Sequence, residues 1–156
     1  MIQLTKRTEY GLIALVHMAD LGGRFVSVRE ISERYRIPRR LLAEVLKDLC
    51  HAKVVESHRG ANGGYSLASS PDELALSEIV GALEGRPLLT SCESSLAASH
   101  HVECDLVPIC PIRSPLHRIR ENLWQLMQRT TLRSLVQPRT DTVSLPAFAA
   151  AETALR

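Results

Sequence analysis

Cys92, Cys104 and Cys110 follow one another with eleven and five residues between them, so three thiols fall within 19 positions of a 156-residue chain. Thiolates are soft, strongly donating ligands that suit iron–sulfur clusters and zinc. His100 and His101 stand inside the same stretch and could complete a tetrahedral zinc site. Spacing alone leaves cluster, zinc and free redox thiols open. A disulfide framework is not expected, because the N-terminal MIQLTKRTEYGL has neither the apolar run nor the small-residue cleavage site of a secretion signal. No apolar run approaches the length of a membrane span. A cytoplasmic location with no membrane partner is the expectation. Cys50 is a different case. It lies four residues after Leu46 on the apolar side of a helix and reads as a buried structural cysteine.

A second chemical pattern is cationic. Arg39, Arg40, Glu44 and Lys47 fall on one side of an amphipathic segment whose other side carries Leu41, Leu42, Val45, Leu46 and Leu49. Long polar side chains on such a face can reach base edges in a major groove. Arginine pairs with guanine, glutamate accepts from cytosine N4, and lysine suits phosphate. Arg59 stands at the head of a glycine-rich loop, where a guanidinium can enter a narrow, electronegative minor groove. No activated nucleophile, phosphate loop or recognisable acid pair is present in the sequence, so an enzyme is not indicated.

The elements that must position these groups are legible from periodicity. Residues 5–21 form a predicted helix capped by Thr5 and apolar on both sides, with Leu21-Gly22-Gly23 ending it. A second helix starts at Ser27, where Ser27 and Glu30 have capping-box spacing and Val28, Ile31 and Tyr35 form the stripe. Pro38 opens the third. Strands at 54–57 and 65–68 flank a turn with three glycines and an asparagine. A short helix spans 77–84, closed by Gly85. Ile112, Leu116, Ile119, Leu123, Leu126 and Thr130 then alternate steps of four and three. That heptad seam needs a partner, which predicts a dimerisation helix and a homodimer.

The fold expected is mainly α with a small β-hairpin wing: a winged helix-turn-helix domain plus a long C-terminal dimerisation helix. Its parts are a DNA-binding domain at 1–70, a connecting helix at 71–85, a cysteine loop at 86–111, the dimerisation helix at 112–136 and a flexible tail at 137–156. Charge follows the same division. The net charge is +4 over residues 1–70, −6 over 71–111 and +4 over 112–156. A basic block ahead of an acidic one implies an anionic partner for the first.

The segments LTKRTEYGL, ISERYRIPRRLLAEVLKDL, VVESHRGANGGYSLA and LSEIVGALEG resemble the IscR/NsrR family of bacterial winged-helix regulators, over about residues 2–136. The RG-x-x-GGY wing and the ALEG helix end are the most specific pieces. The resemblance implies a homodimer on double-stranded, imperfectly palindromic DNA. It also implies an iron–sulfur cluster, [2Fe-2S] or [4Fe-4S], on Cys92, Cys104 and Cys110. In some members a histidine three residues past the last cysteine completes the site; here that position is Arg113, which cannot ligate. In others the fourth ligand is an acid in an LTK-x-T-[D/E] stretch of the partner chain, which makes Glu9 the candidate. A first-turn acid favoured by the helix dipole is the competing reading of Glu9. The first cysteine gap is longer than the five residues usual in the best-known members. With the SHRGANGGY wing, it looks most like the subgroup regulating the SUF iron–sulfur assembly genes, with nitric-oxide response as the alternative. A regulator with structural zinc or redox-active thiols is the reading from another class.

Overall fold

The computed structural model describes residues 3–60, 63–89, 106 and 108–136. Its elements are α1 (Lys6–Asp20), α2 (Val28–Tyr35), α3 (Arg39–His51), β1 (Val55–His58), β2 (Gly64–Leu67), α4 (Leu76–Leu83), α5 (Arg113–Arg129) and α6 (Leu132–Val136). Thr5 caps α1 by accepting from the Thr8 N–H at 3.3 Å. Gly11, Ala14, Leu15, Met18 and Ala19 bury the face of α1 around which the domain is built. Leu42, Val45, Leu46 and Leu49 of α3 and Ile31 of α2 close the same core, while Leu41 is only half-buried. Each such aliphatic contributes about 1.5–3 kcal/mol by leaving water.

The capping box at Ser27 forms by half. Ser27 Oγ accepts from the Glu30 N–H at 3.1 Å. The Glu30 carboxylate instead takes the Arg24 guanidinium, at 2.5 and 3.3 Å. An ion pair is available to it there, and it outcompetes the return bond to a backbone amide. The turn after α2 depends on Arg36, which caps that helix at φ 54° in the left-handed region. The Ser32 hydroxyl donates to the Ile37 carbonyl at 2.6 Å and locks this turn, so α3 starts in a fixed direction.

β1 and β2 pair antiparallel, with Val55 opposite Leu67 and His58 opposite Gly64. Both strands are displaced by one residue from the sequence expectation. Val26 adds a third strand-like partner: it and Tyr65 exchange both backbone bonds, at 2.8 and 2.9 Å. A Cβ on Gly64 would lie 2.5 Å from the Val26 carbonyl oxygen, so only glycine fits that crossing. Gly60 sits at φ +136°, where the loop turns back.

The expected single helix over 112–136 is two helices. It ends at Arg129, and Thr131 forms a bridge with Ala75. Leu76 N–H donates to the Thr130 carbonyl at 2.8 Å and Leu132 N–H to the Leu74 carbonyl at 2.9 Å. Leu132 is then wholly buried in the core, and α6 packs on α1. Before the break, α5 buries none of its residues in this chain. It leans on α4 through Trp124, whose ring meets Gly81 and carries the Arg86 guanidinium 5.1 Å from its centroid. Pro115 falls in the first turn of α5, where its missing N–H leaves no helical bond unmade.

Candidate nucleic-acid interface

α3 presents Arg39, Arg40, Glu44 and Lys47 to solvent on the side away from its leucines. Arg40 Nε lies 3.3 Å from Glu44 Oε1, and the arginine side chain is 95% exposed, so this pair is free to exchange for another partner. Arg39 Nη2 reaches Glu33 Oε1 of α2 at 3.5 Å, and Arg29 Nε reaches the same oxygen at 2.7 Å. Arg29 and Glu33 of α2 thus join Arg39 of α3 in one chain of ion pairs. Arg7 of α1 pairs with Asp48 of α3 and ties α3 to the first helix.

The wing leaves α3 directly. Val54 N–H donates to the Leu49 carbonyl at 2.9 Å, and Cys50 Sγ donates to Ser57 Oγ of β1 at 3.9 Å. Arg59 follows β1 and is exposed at the turn. The Phe25 and His58 rings lie 5.2 Å apart at the turn end of the hairpin. Cys50 is half-buried, not fully buried as its helical position suggested, and it packs against the core from the edge. It lies in the last turn of α3, where the neighbouring element is a two-stranded wing too small to cover it.

Glu9 is in the first turn of α1 and pairs with Lys6 Nζ at 2.5 Å, a hydrogen bond that raises the lysine's pKa. Cys110 is free and half-buried three residues ahead of α5. Cys92 and Cys104, with His100 and His101, lie outside the described residues, as does the tail at 137–156. Among the residues expected to dimerise, Ile112, Ile119 and Leu126 are 57%, 52% and 55% exposed. Leu116 and Leu123 are half-buried.

Two polar arrangements carried no sequence signal. Glu84, in the ALEG stretch, accepts from both the N–H and the hydroxyl of Thr5, each at 2.8 Å. Desolvation opposes its ionisation, but hydrogen bonds from the Thr8 and Thr5 groups outweigh it and lower its pKa from the ordinary glutamate value. The end of α4 is thereby tied to the start of α1. His17 is buried on α1, with Nδ1 3.2 Å from the Tyr35 hydroxyl and Nε2 3.8 Å from Glu30 Oε1. A lone histidine in an apolar run does not announce either partner.

Residues 4–138 match the family model described as Rrf2, iron-dependent transcriptional regulator. The chain belongs to the Rrf2 family. Among solved structures it is similar to CymR (YrzC), the global cysteine regulator of B. subtilis, at 26% identity and TM-score 0.67, covering 87% of this chain and 97% of that one. Staphylococcus aureus CymR matches at 25% identity and TM-score 0.65, over 86% and 98% of the two chains. T. potens IscR has the same fold at 23% identity and TM-score 0.64, over 86% of each. As an Rrf2 protein the chain is a DNA-binding transcription regulator of winged-helix architecture, not an enzyme. Among the described residues no helix is long and apolar enough to cross a membrane.

Proposed function

We propose that this Rrf2 protein is a homodimer whose grip on a palindromic operator follows the state of an iron–sulfur cluster, [2Fe-2S] or [4Fe-4S], on Cys92, Cys104 and Cys110. One observation carries the reading: Cys110 offers a free, half-buried thiol at the foot of α5 in a chain whose family is iron-dependent. Three thiolates are the donor set such a cluster takes, and Glu9 of the partner subunit is the proposed fourth ligand. When bound, the group supplies a centre sensitive to oxidants, nitric oxide and iron–sulfur supply. The chain's own part is mechanical. α5 and the helices it leans on transmit any change at Cys110 to α4, and Glu84 links α4 to α1. A ligand shifts such a system only if it binds the two dimer geometries unequally.

Arg39, Arg40, Glu44 and Lys47 would read the major groove and Arg59 the minor groove. Ile112, Leu116, Ile119, Leu123 and Leu126 would meet their copies across the dimer. The regulated genes would be those for SUF iron–sulfur assembly, with nitric-oxide response as the second choice. The likeness to CymR supports a second reading, a regulator with structural zinc or redox thiols in place of a cluster. Purification without air decides between them. The expected result is visible absorption with bound iron and sulfide, and DNA binding that changes when the chromophore is lost. Colourless, iron-free protein after reconstitution, still binding DNA unchanged, would overturn the cluster. Bound zinc without colour would favour the second reading.

A further inference from the structure

α3 begins against its own electrostatics. Arg39 and Arg40 occupy its first two positions, its N-cap Pro38 makes no side-chain bond, and its first turn holds no acid. A helix N-terminus disfavours cations, so arginines placed there gain from a nearby anion. The anion comes from the preceding helix. Glu33 Oε1 accepts from Arg39 Nη2 at 3.5 Å and from Arg29 Nε at 2.7 Å, with all three side chains more than half exposed. This oxygen holds two guanidinium groups as a backbone phosphate oxygen would. Exposed ion pairs of this kind are weak and exchange readily.

We infer that Glu33 is a positioning residue for DNA binding: its carboxylate occupies Arg29 and Arg39 in the free protein, gives way to a DNA phosphate, and so restrains binding to DNA that lacks an operator. Any phosphate that takes these arginines must first displace Glu33, which weakens sequence-independent attraction. At an operator the base contacts of α3 add to the exchange. The inference rests on Arg39 facing DNA.

The test uses the full-length protein and a labelled mixed-sequence duplex of about three helical turns with no palindrome, titrated by fluorescence anisotropy across a salt series. Glu33→Gln should bind about three- to tenfold more tightly at low salt, with a salt slope steeper by about one to two phosphate contacts. Glu73→Gln removes an equal charge at an exposed position away from these arginines and should show neither the full gain nor the steeper slope. In an Arg39→Gln background the gain from Glu33→Gln should shrink. Glu33→Gln matching either wild type or Glu73→Gln overturns the inference, as does a gain undiminished without Arg39. Should Arg39→Gln alone leave binding unchanged, the DNA-facing reading of Arg39 fails first and this inference falls with it. A structural role for Glu33 would move thermal stability without moving the salt slope.

Discussion

His17 and Arg59 have opposite surroundings and are checked by opposite measurements. His17 is 5% exposed. Burial, then the positive charge of Arg34, pushes its pKa down; Glu30 opposes this but does not win. The Tyr35 hydroxyl and the Glu30, Arg24 and Arg34 charges are the polar groups around it. Below the ordinary histidine pKa of about 6.5, an unfolded chain takes up a proton that the folded chain resists. Stability should therefore fall as pH drops through about 6.5, and stop falling once the folded histidine also protonates. Thermal melts at roughly pH 7.5 and 5.5 should show this drop in wild type and a smaller one in His17→Gln; equal drops would rule His17 out as the cause. Arg59, exposed at the wing, should matter only to DNA. Arg59→Ala should weaken binding and lower the salt slope by about one. An unchanged slope would remove the wing from the interface.

At the level of helices, the heptad pattern from Ile112 to Thr130 joins two different jobs. Ile112, Ile119 and Leu126 remain exposed on a helix that buries nothing in its own chain. Trp124, on another side, faces Gly81 of α4. Ile119→Glu should thus leave the fold intact and abolish dimers, read as a halved mass in light scattering. A variant that stays dimeric would place the subunit contact elsewhere. Leu132 comes two residues after the seam ends and belongs to the core instead. Leu132→Ala should cost about 2–5 kcal/mol of stability in a denaturant melt. Periodicity could not separate the two, because a buried leucine and an interfacial leucine look alike along a sequence. The break at Thr130–Thr131 depends on backbone bonds to Leu74 and Leu76, more than fifty residues away in the chain.

For the molecule as a whole, the charge division of +4, −6 and +4 along the sequence has a mechanical counterpart. The basic first block carries the helix-turn-helix and wing. The acidic block contains α4 and the three clustered cysteines, and α5 carries an exposed apolar ridge. The proposed cluster should separate the thiols by role. Cys104→Ala should abolish visible absorption in anaerobically prepared protein. Cys50→Ala, at a thiol that meets Ser57 and the core edge, should keep it. The reverse pattern would refute the ligand assignment.

Apolar spacing, Thr5, Ser27 and Pro38 were enough to set out α1 to α3 in order, because side-chain burial and capping are local consequences of residue type. The glycines of the wing likewise declare their turn, since so few residues tolerate its backbone. Other features arise from groups far apart in the chain that meet only after folding: Glu84 on Thr5 and Leu132 inside the core. Such meetings depend on the angles at which helices cross. Those angles follow from the packing of the whole domain, which no short window of residues encodes.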